Sequence, residues 1–181
     1  MNNYDLALMG AELLFCLLLW LLAGYAEKVL ESFIGPKYYI ATMNPVGEDA
    51  AEIIARHREA RRNKNYITVE CPRDVDKIDL PIGCGVLLEC IGNLCANEMY
   101  VGANVLRPSD KIIANLKTLA ESASELVIVT NEVGCDGNSY SADIMAFVSE
   151  IAVINSRIAE FADNVVECVY GIPIALKGRL I

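Results

Sequence analysis

His57 stands at the centre of the stretch Ile53–Arg61, IIARHREAR, and is the chain's one histidine. Arg56, Arg58, Arg61 and Arg62 surround it. An unperturbed imidazole titrates near about 6.5, so at neutral pH it is mostly uncharged and can act as a nucleophile. Attack on the α-phosphate of a nucleotide would give a phosphoramidate. Neighbouring guanidinium groups would steady the phosphate charge, as would a metal ion. The competing account is a surface histidine on a solvated basic face. A second group of polar residues closes the apolar runs: Thr42 after YIA, Glu70 after TV, Glu89 after LL, and Thr130, Asn131 and Glu132 after VIV. Taken singly, each could be an ordinary strand-end cap.

These residues need elements to hold them. Asp49 and Glu52 form a capping-box-like start for a helix that places Ile53, His57 and Arg61 one turn apart on one face. Short β-forming runs are expected as strands at Tyr38–Thr42, Tyr66–Glu70, Val86–Cys90 and Leu126–Thr130. A further buried strand is expected over Val165–Tyr170. A turn at Gly171-Ile172-Pro173 should lead into an edge strand at Ile174–Lys177. Helices are expected over Ala26–Phe33, within Gly92–Tyr100, from Pro108-Ser109 onward, and over Ala142–Ala162. Ile112, Ile113, Leu116 and Leu119 should form the buried face of the third of these. Ile144, Phe147, Ile151, Ile154, Ile158 and Phe161 should form that of the fourth. Strands that alternate with helices give an α/β class with a mainly parallel sheet flanked by helices. In such sheets ligands bind at the carboxyl ends of strands, so the polar strand ends should share one rim. Glu89, ending a buried apolar strand, is the expected magnesium or nucleotide partner.

The whole chain, 181 residues, suits one domain with a full core. Its net charge of −9 argues against a nonspecific nucleic-acid binder. Seven cysteines without a C-x-x-C pair, beside a single histidine, give little support for zinc and favour a reducing compartment. Residues 6–25, LALMGAELLFCLLLWLLAGY, are atypical: nine leucines and one charge, Glu12. That length matches a membrane span, and a buried core segment is the alternative. A signal peptide fits less well, because Asp5 stands where a basic n-region belongs.

The segments YIAT, R-H-R-x-x-R, TVE, LLECIGNLCANEM, LVIVTNEVG, INSRIAEFAD and VYGIPIALKG, in this order over Tyr25–Lys177, resemble the adenosylcobinamide kinase / adenosylcobinamide-phosphate guanylyltransferase family. The resemblance implies a P-loop NTPase fold of the RecA-like type, a homo-oligomer and a cytoplasmic setting. It implies GTP and ATP as substrates, Mg2+, and adenosylcobinamide as the acceptor. Two steps follow from it: phosphorylation of adenosylcobinamide, and GMP transfer from GTP to the phosphate through a GMP–histidine. The guanylylated histidine matches His57. The nucleotide contacts match Thr42, Met43 and Asn44, the turn Arg58, Glu59, Ala60 and Arg61, and Glu70 and Glu89, with Glu89 the metal candidate.

One part departs from the family. A Gly-rich G-G-x-x-S-G-K-S loop should precede YAEK at Tyr25–Lys28, and LLFCLLLWLLAG stands there instead. No lysine precedes Lys28, and no Ser or Thr precedes Ser32. Such a loop works through backbone N–H groups, a lysine on the phosphates and a hydroxyl on magnesium. Leucines supply none of the side-chain groups. Three accounts stand, in this order: a slipped reading frame, a paralogue that binds nucleotide or corrinoid without catalysis, and an anchor on a family-like domain.

Overall fold

The run Cys84–Leu88 becomes β3, the one strand among the described residues that is buried along its whole length. This computed structural model describes residues 24–44, 59, 64–133 and 140–180. β1 (Lys37–Ala41), β2 (Tyr66–Glu70), β3 (Cys84–Leu88) and β6 (Ala123–Ile128) form a parallel sheet in the order β2-β1-β3-β6. Alternate residues of a strand point to opposite faces. Ile40, Val86 and Leu88 therefore meet one core, and Tyr39, Ala41 and Leu87 the other. Three helices supply the first core: α1 (Ile91–Met99), α2 (Ser109–Ser122) and α3 (Ala142–Phe161). A helical segment over residues 24–29 covers the second, through Ala26 and Leu30. Gly85 has no side chain for a reason of packing: a Cβ there would stand 2.9 Å from the Phe33 ring.

Ile112, Ile113, Leu116 and Leu119 form the buried face of α2, as their spacing requires. Four expectations change. The first helix stops at residue 29, and Glu31 N and Phe33 N donate three residues back, tightening the chain into turns before Gly35. On α3, Ile151, Ile154 and Ile158 are buried, but Ile144 is exposed. Val165–Tyr170, expected as a buried strand, is β7 over Val165–Val169. It lies partly exposed and, among the described strands, pairs only with antiparallel β8 (Ile172–Lys177). Its turn is Tyr170-Gly171, not Gly171–Pro173. Both residues have positive φ (50° and 82°), the two-residue hairpin geometry that matches strand twist. Finally, β6 begins at Ala123, three residues before the apolar run expected as a strand, because backbone pairing with β3 does not depend on apolar side chains. A small ribbon of β4 (Tyr100–Val101) and β5 (Asn104–Val105), turned by Gly102 at φ 62°, joins α1 to α2 and has no apolar alternation to announce it.

At the amino end of the sheet Tyr66 lies edge-on to Tyr39, with ring centroids 5.9 Å apart. Its hydroxyl is buried with no hydrogen-bond partner among the described residues. Burial first, and the Glu27 carboxylate second, push it up to about 12. A buried hydroxyl without a partner costs free energy that a ring without oxygen avoids. Tyr66→Phe should leave stability unchanged or raise it by up to about 1–2 kcal/mol in urea unfolding. A loss above about 1 kcal/mol would show that the hydroxyl is paired.

Candidate functional site

The parallel register puts the polar strand ends in one row. Ala41 stands opposite Glu70, Ile40 opposite Leu88, and Leu88 opposite Ile128. The next residues along, Thr42, Glu89 and Val129-Thr130, therefore lie side by side with Glu70 on the carboxyl rim. Strand order also reverses here. From β1 the chain goes to β2 on one side, then returns to β3 and on to β6 on the other. Such a reversal opens a crevice beyond the strand ends, and in α/β sheets that crevice is the place for a ligand. Thr42–Asn44 and Glu89–Cys90 are its two lips.

Hydrogen bonds hold the lips in place. Thr42 is fully buried and its hydroxyl donates to Cys90 O at 2.8 Å. Its side chain is thus turned inward and its carbonyl is taken by Asn97, which leaves the partly buried Met43 and the exposed Asn44 to face a ligand. Cys90 caps α1: its Sγ accepts from Asn93 N at 3.4 Å. Ile91 N donates to Val129 O at 2.9 Å, drawing the helix start onto the rim. Burial pushes the Cys90 thiol up more strongly than the Asn93 and Gly92 N–H groups pull it down, as befits a packed thiol.

Two asparagines that sequence reasoning did not single out do further positioning. Asn97 of α1 donates both amide hydrogens, to Thr42 O at 2.8 Å and to Pro72 O at 3.0 Å. It therefore ties the loop after β1 to the loop after β2. Asn155 of α3 accepts from the Thr130 hydroxyl at 2.6 Å and donates to Asn131 O at 3.1 Å, which fixes the loop after β6. The usable signal was a carboxamide set among apolar helix residues, where only a hydrogen-bonding duty justifies its burial.

Glu70 is exposed at the rim, and Glu89 is partly buried there with its N–H on Ile40 O at 3.1 Å. Among the described residues no three His, Cys, Asp or Glu side chains gather as a metal cage. The donor set that does fit Glu89 is one carboxylate completed by phosphate and water, which magnesium commonly accepts. Glu59 is helical and exposed. His57, Arg58, Ala60 and Arg61 lie outside the described residues, as do residues 6–23 of the hydrophobic run. Among the described residues no helix is long and apolar enough to cross a membrane.

Beside the crevice, a cleft of about 520 Å3 is lined by Arg73, Asp74, Glu98, Arg107 and Lys111 among others. Glu98, 4% exposed, accepts from Asp74 N at 2.9 Å and from Lys111 Nζ at 2.6 Å. Lys111 and Lys77 beside Asp74 hold its carboxyl down at about 2. Glu150, also buried, accepts from Ser109 N at 3.1 Å and from Arg107 at 3.3 Å. It acts as an N-cap for α2 from another helix, because Pro108 has no side-chain acceptor to offer.

Comparison with known proteins shows the family. The chain is 28% identical over 171 residues to the bifunctional adenosylcobalamin biosynthesis protein CobU of Salmonella typhimurium, covering 86% of this chain and 90% of that one. It is 27% identical over 144 residues to the bifunctional adenosylcobalamin biosynthesis protein CobP of Pseudomonas aeruginosa, covering 78% of this chain and 82% of the relative. Residues 23–176 match the sequence profile of one family along nearly the whole described fold, including both asparagine clamps and the rim they hold. The chain belongs to the cobinamide kinase / cobinamide phosphate guanyltransferase family, a P-loop NTPase-like α/β family.

Proposed function

We propose that this protein acts in cobalamin biosynthesis as the bifunctional enzyme of its family. It phosphorylates adenosylcobinamide and transfers GMP from GTP to the resulting phosphate. One observation carries the reading: Thr42–Asn44, Glu70 and Glu89 share one rim where the strand order reverses. The transfer runs through His57. Its imidazole nitrogen attacks the α-phosphorus of GTP, an N–P bond forms, the P–O bond to pyrophosphate breaks, and the ring proton passes to water. A phosphate oxygen of the acceptor then attacks the same phosphorus, the N–P bond breaks, and the histidine is restored. Arg58 and Arg61 steady the phosphate charge. Glu89 holds Mg2+ when it is bound, and the ion neutralises phosphate charge. ATP or GTP feeds the kinase step. The setting is cytoplasmic and the assembly a homo-oligomer, without a nucleic-acid partner. Membrane contact through residues 6–25 is the unfavoured alternative.

One observation favours a second reading, a paralogue that binds nucleotide or corrinoid without catalysis. Residues 6–24 offer no lysine, serine or threonine for a triphosphate. The test is to incubate the full chain with GTP, Mg2+ and cobinamide phosphate and to look by mass for the acceptor carrying an added GMP. Product is the expected outcome. Binding of GTP or corrinoid without product selects the second reading, and binding of neither overturns both.

A further inference from the structure

The geometry points to the cleft behind the rim as the seat of the corrin macrocycle, with the ring on an apolar shelf and its carboxamide arms among the cleft's matched charges. This rests on the function just proposed and assigns that substrate its own surface, apart from the nucleotide crevice. The shelf consists of Tyr100, Val105 and Leu106 around the β4–β5 ribbon and Ile144 and Met145 at the start of α3, each 41–54% exposed. The two halves are linked, since the Tyr100 hydroxyl donates to Asp143 O at 3.4 Å. Ile144 belongs to the apolar stripe of α3 yet faces away from the core, so its exposure extends a hydrophobic surface past the edge of the fold. A contiguous exposed apolar surface next to a polar cleft marks a binding site more often than it marks idle surface.

The cleft itself selects against a second nucleotide. Arg73, Arg107 and Lys111 are balanced by Asp74, Glu98 and Glu150, and the partners are already engaged: Lys111 with Asp74 and Glu98, Arg107 with Glu150. A polyphosphate would gain little from cations that are already neutralised. A neutral carboxamide presents one acceptor and two hydrogens, and it suits a wall of alternating guanidinium, ammonium and carboxylate groups. A corrin ring offers both surfaces together: a broad apolar face and a periphery of carboxamides. Leu106 and Arg107 line this cleft and also a smaller adjoining hollow of about 160 Å3, so shelf and cleft are continuous. The cleft also reaches the rim directly. Arg73 donates to Tyr100 O at 3.2 Å, and its neighbour Pro72 is tied by Asn97 to Thr42. A phosphorylated arm of the ring's substituent could therefore extend toward the crevice where the nucleotide is placed.

The test is an absorbance titration of the full chain with dicyanocobinamide, comparing wild type, Leu106→Asp, Leu106→Gln, and Ile172→Asp as an exposed apolar control on the β7–β8 hairpin. Each variant is checked by thermal unfolding and by size-exclusion chromatography, with GTP binding measured in parallel. Leu106→Asp should weaken cobinamide binding about tenfold or more. Leu106→Gln should weaken it less, and Ile172→Asp should leave it unchanged, with GTP binding the same throughout. Wild type that binds cobinamide while both Leu106 variants bind it equally well overturns this assignment and leaves the proposed function standing. A change of assembly state with undiminished cobinamide binding would make the shelf a contact between copies and also overturns it. Failure of the wild type to bind cobinamide overturns the proposed function and this inference together.

Discussion

Incubated with Mg2+ and GTP labelled at the α-phosphate, the wild-type chain is expected to take up covalent label that survives base and is lost in acid, and His57→Ala to take up none. That stability pattern belongs to a phosphoramidate, in which protonation of the bridging nitrogen makes it a leaving group. The chain has no second histidine, so a histidine-borne label has a single address. Removing the nucleophile of a covalent mechanism should cost at least about 10³-fold in rate, effectively all of the signal. Each outcome has a distinct meaning. Label on both proteins would move the nucleophile off His57. Label on neither, in protein that still binds GTP, is the signature of the binding paralogue. Label on the wild type alone would show that the triphosphate is seated without the lysine and hydroxyl of a Gly-rich loop. Backbone N–H groups at Met43 and Asn44 would then be the donors to examine, because the Thr42 hydroxyl is already committed to Cys90 O and the Glu89 N–H to Ile40 O.

The strands and the rim they share could be read from the sequence alone. YITVE was placed residue for residue because β-branched and aromatic side chains coincide there with the limits of the pairing. Glu70, Glu89 and Thr42 could be placed on one rim because parallel strands must all end at the same edge. Three things could not be read. The hairpin Val165–Lys177 looks like sheet because its residues are apolar, but apolarity does not name the partner strand. The ribbon at Tyr100–Val105 is only two residues per strand, too short for a period to show. The roles of Asn97 and Asn155 depend on where backbone carbonyls of other loops arrive, and no local pattern encodes that. Their burial could be guessed from helical spacing, whereas their partners lie 24 to 55 residues away.

Glu98→Ala should destabilise the fold by about 1–3 kcal/mol, the loss expected when a buried N–H is left without its acceptor. For a chain of this size that is a fall of roughly 2–12 °C in melting temperature. Two groups lose their acceptor together. Asp74 N is left without a partner in a backbone turn already held at φ 50°, and Lys111 loses one of two carboxylates. A cavity remains where the side chain was. Glu98→Gln keeps the shape and one acceptor, so it should cost clearly less, and equal losses in the two variants would refute the charge argument. The same cluster fixes a pH dependence. The Asp74 carboxyl sits at about 2 in the folded chain against an ordinary 3.8, because Lys111 and then Lys77 donate to it. A lowered folded value means that stability is fully present above about 4 and is lost as pH falls toward about 2. Urea unfolding of wild type and Asp74→Asn should therefore show a constant gap from neutral pH down to about 4, narrowing below it. Asparagine tolerates the left-handed backbone at this position, so the variant removes charge without adding strain. A gap that stays constant down to pH 2 would mean that the Asp74 ion pair contributes nothing to stability and that Lys111 is held at the cleft by Glu98 alone.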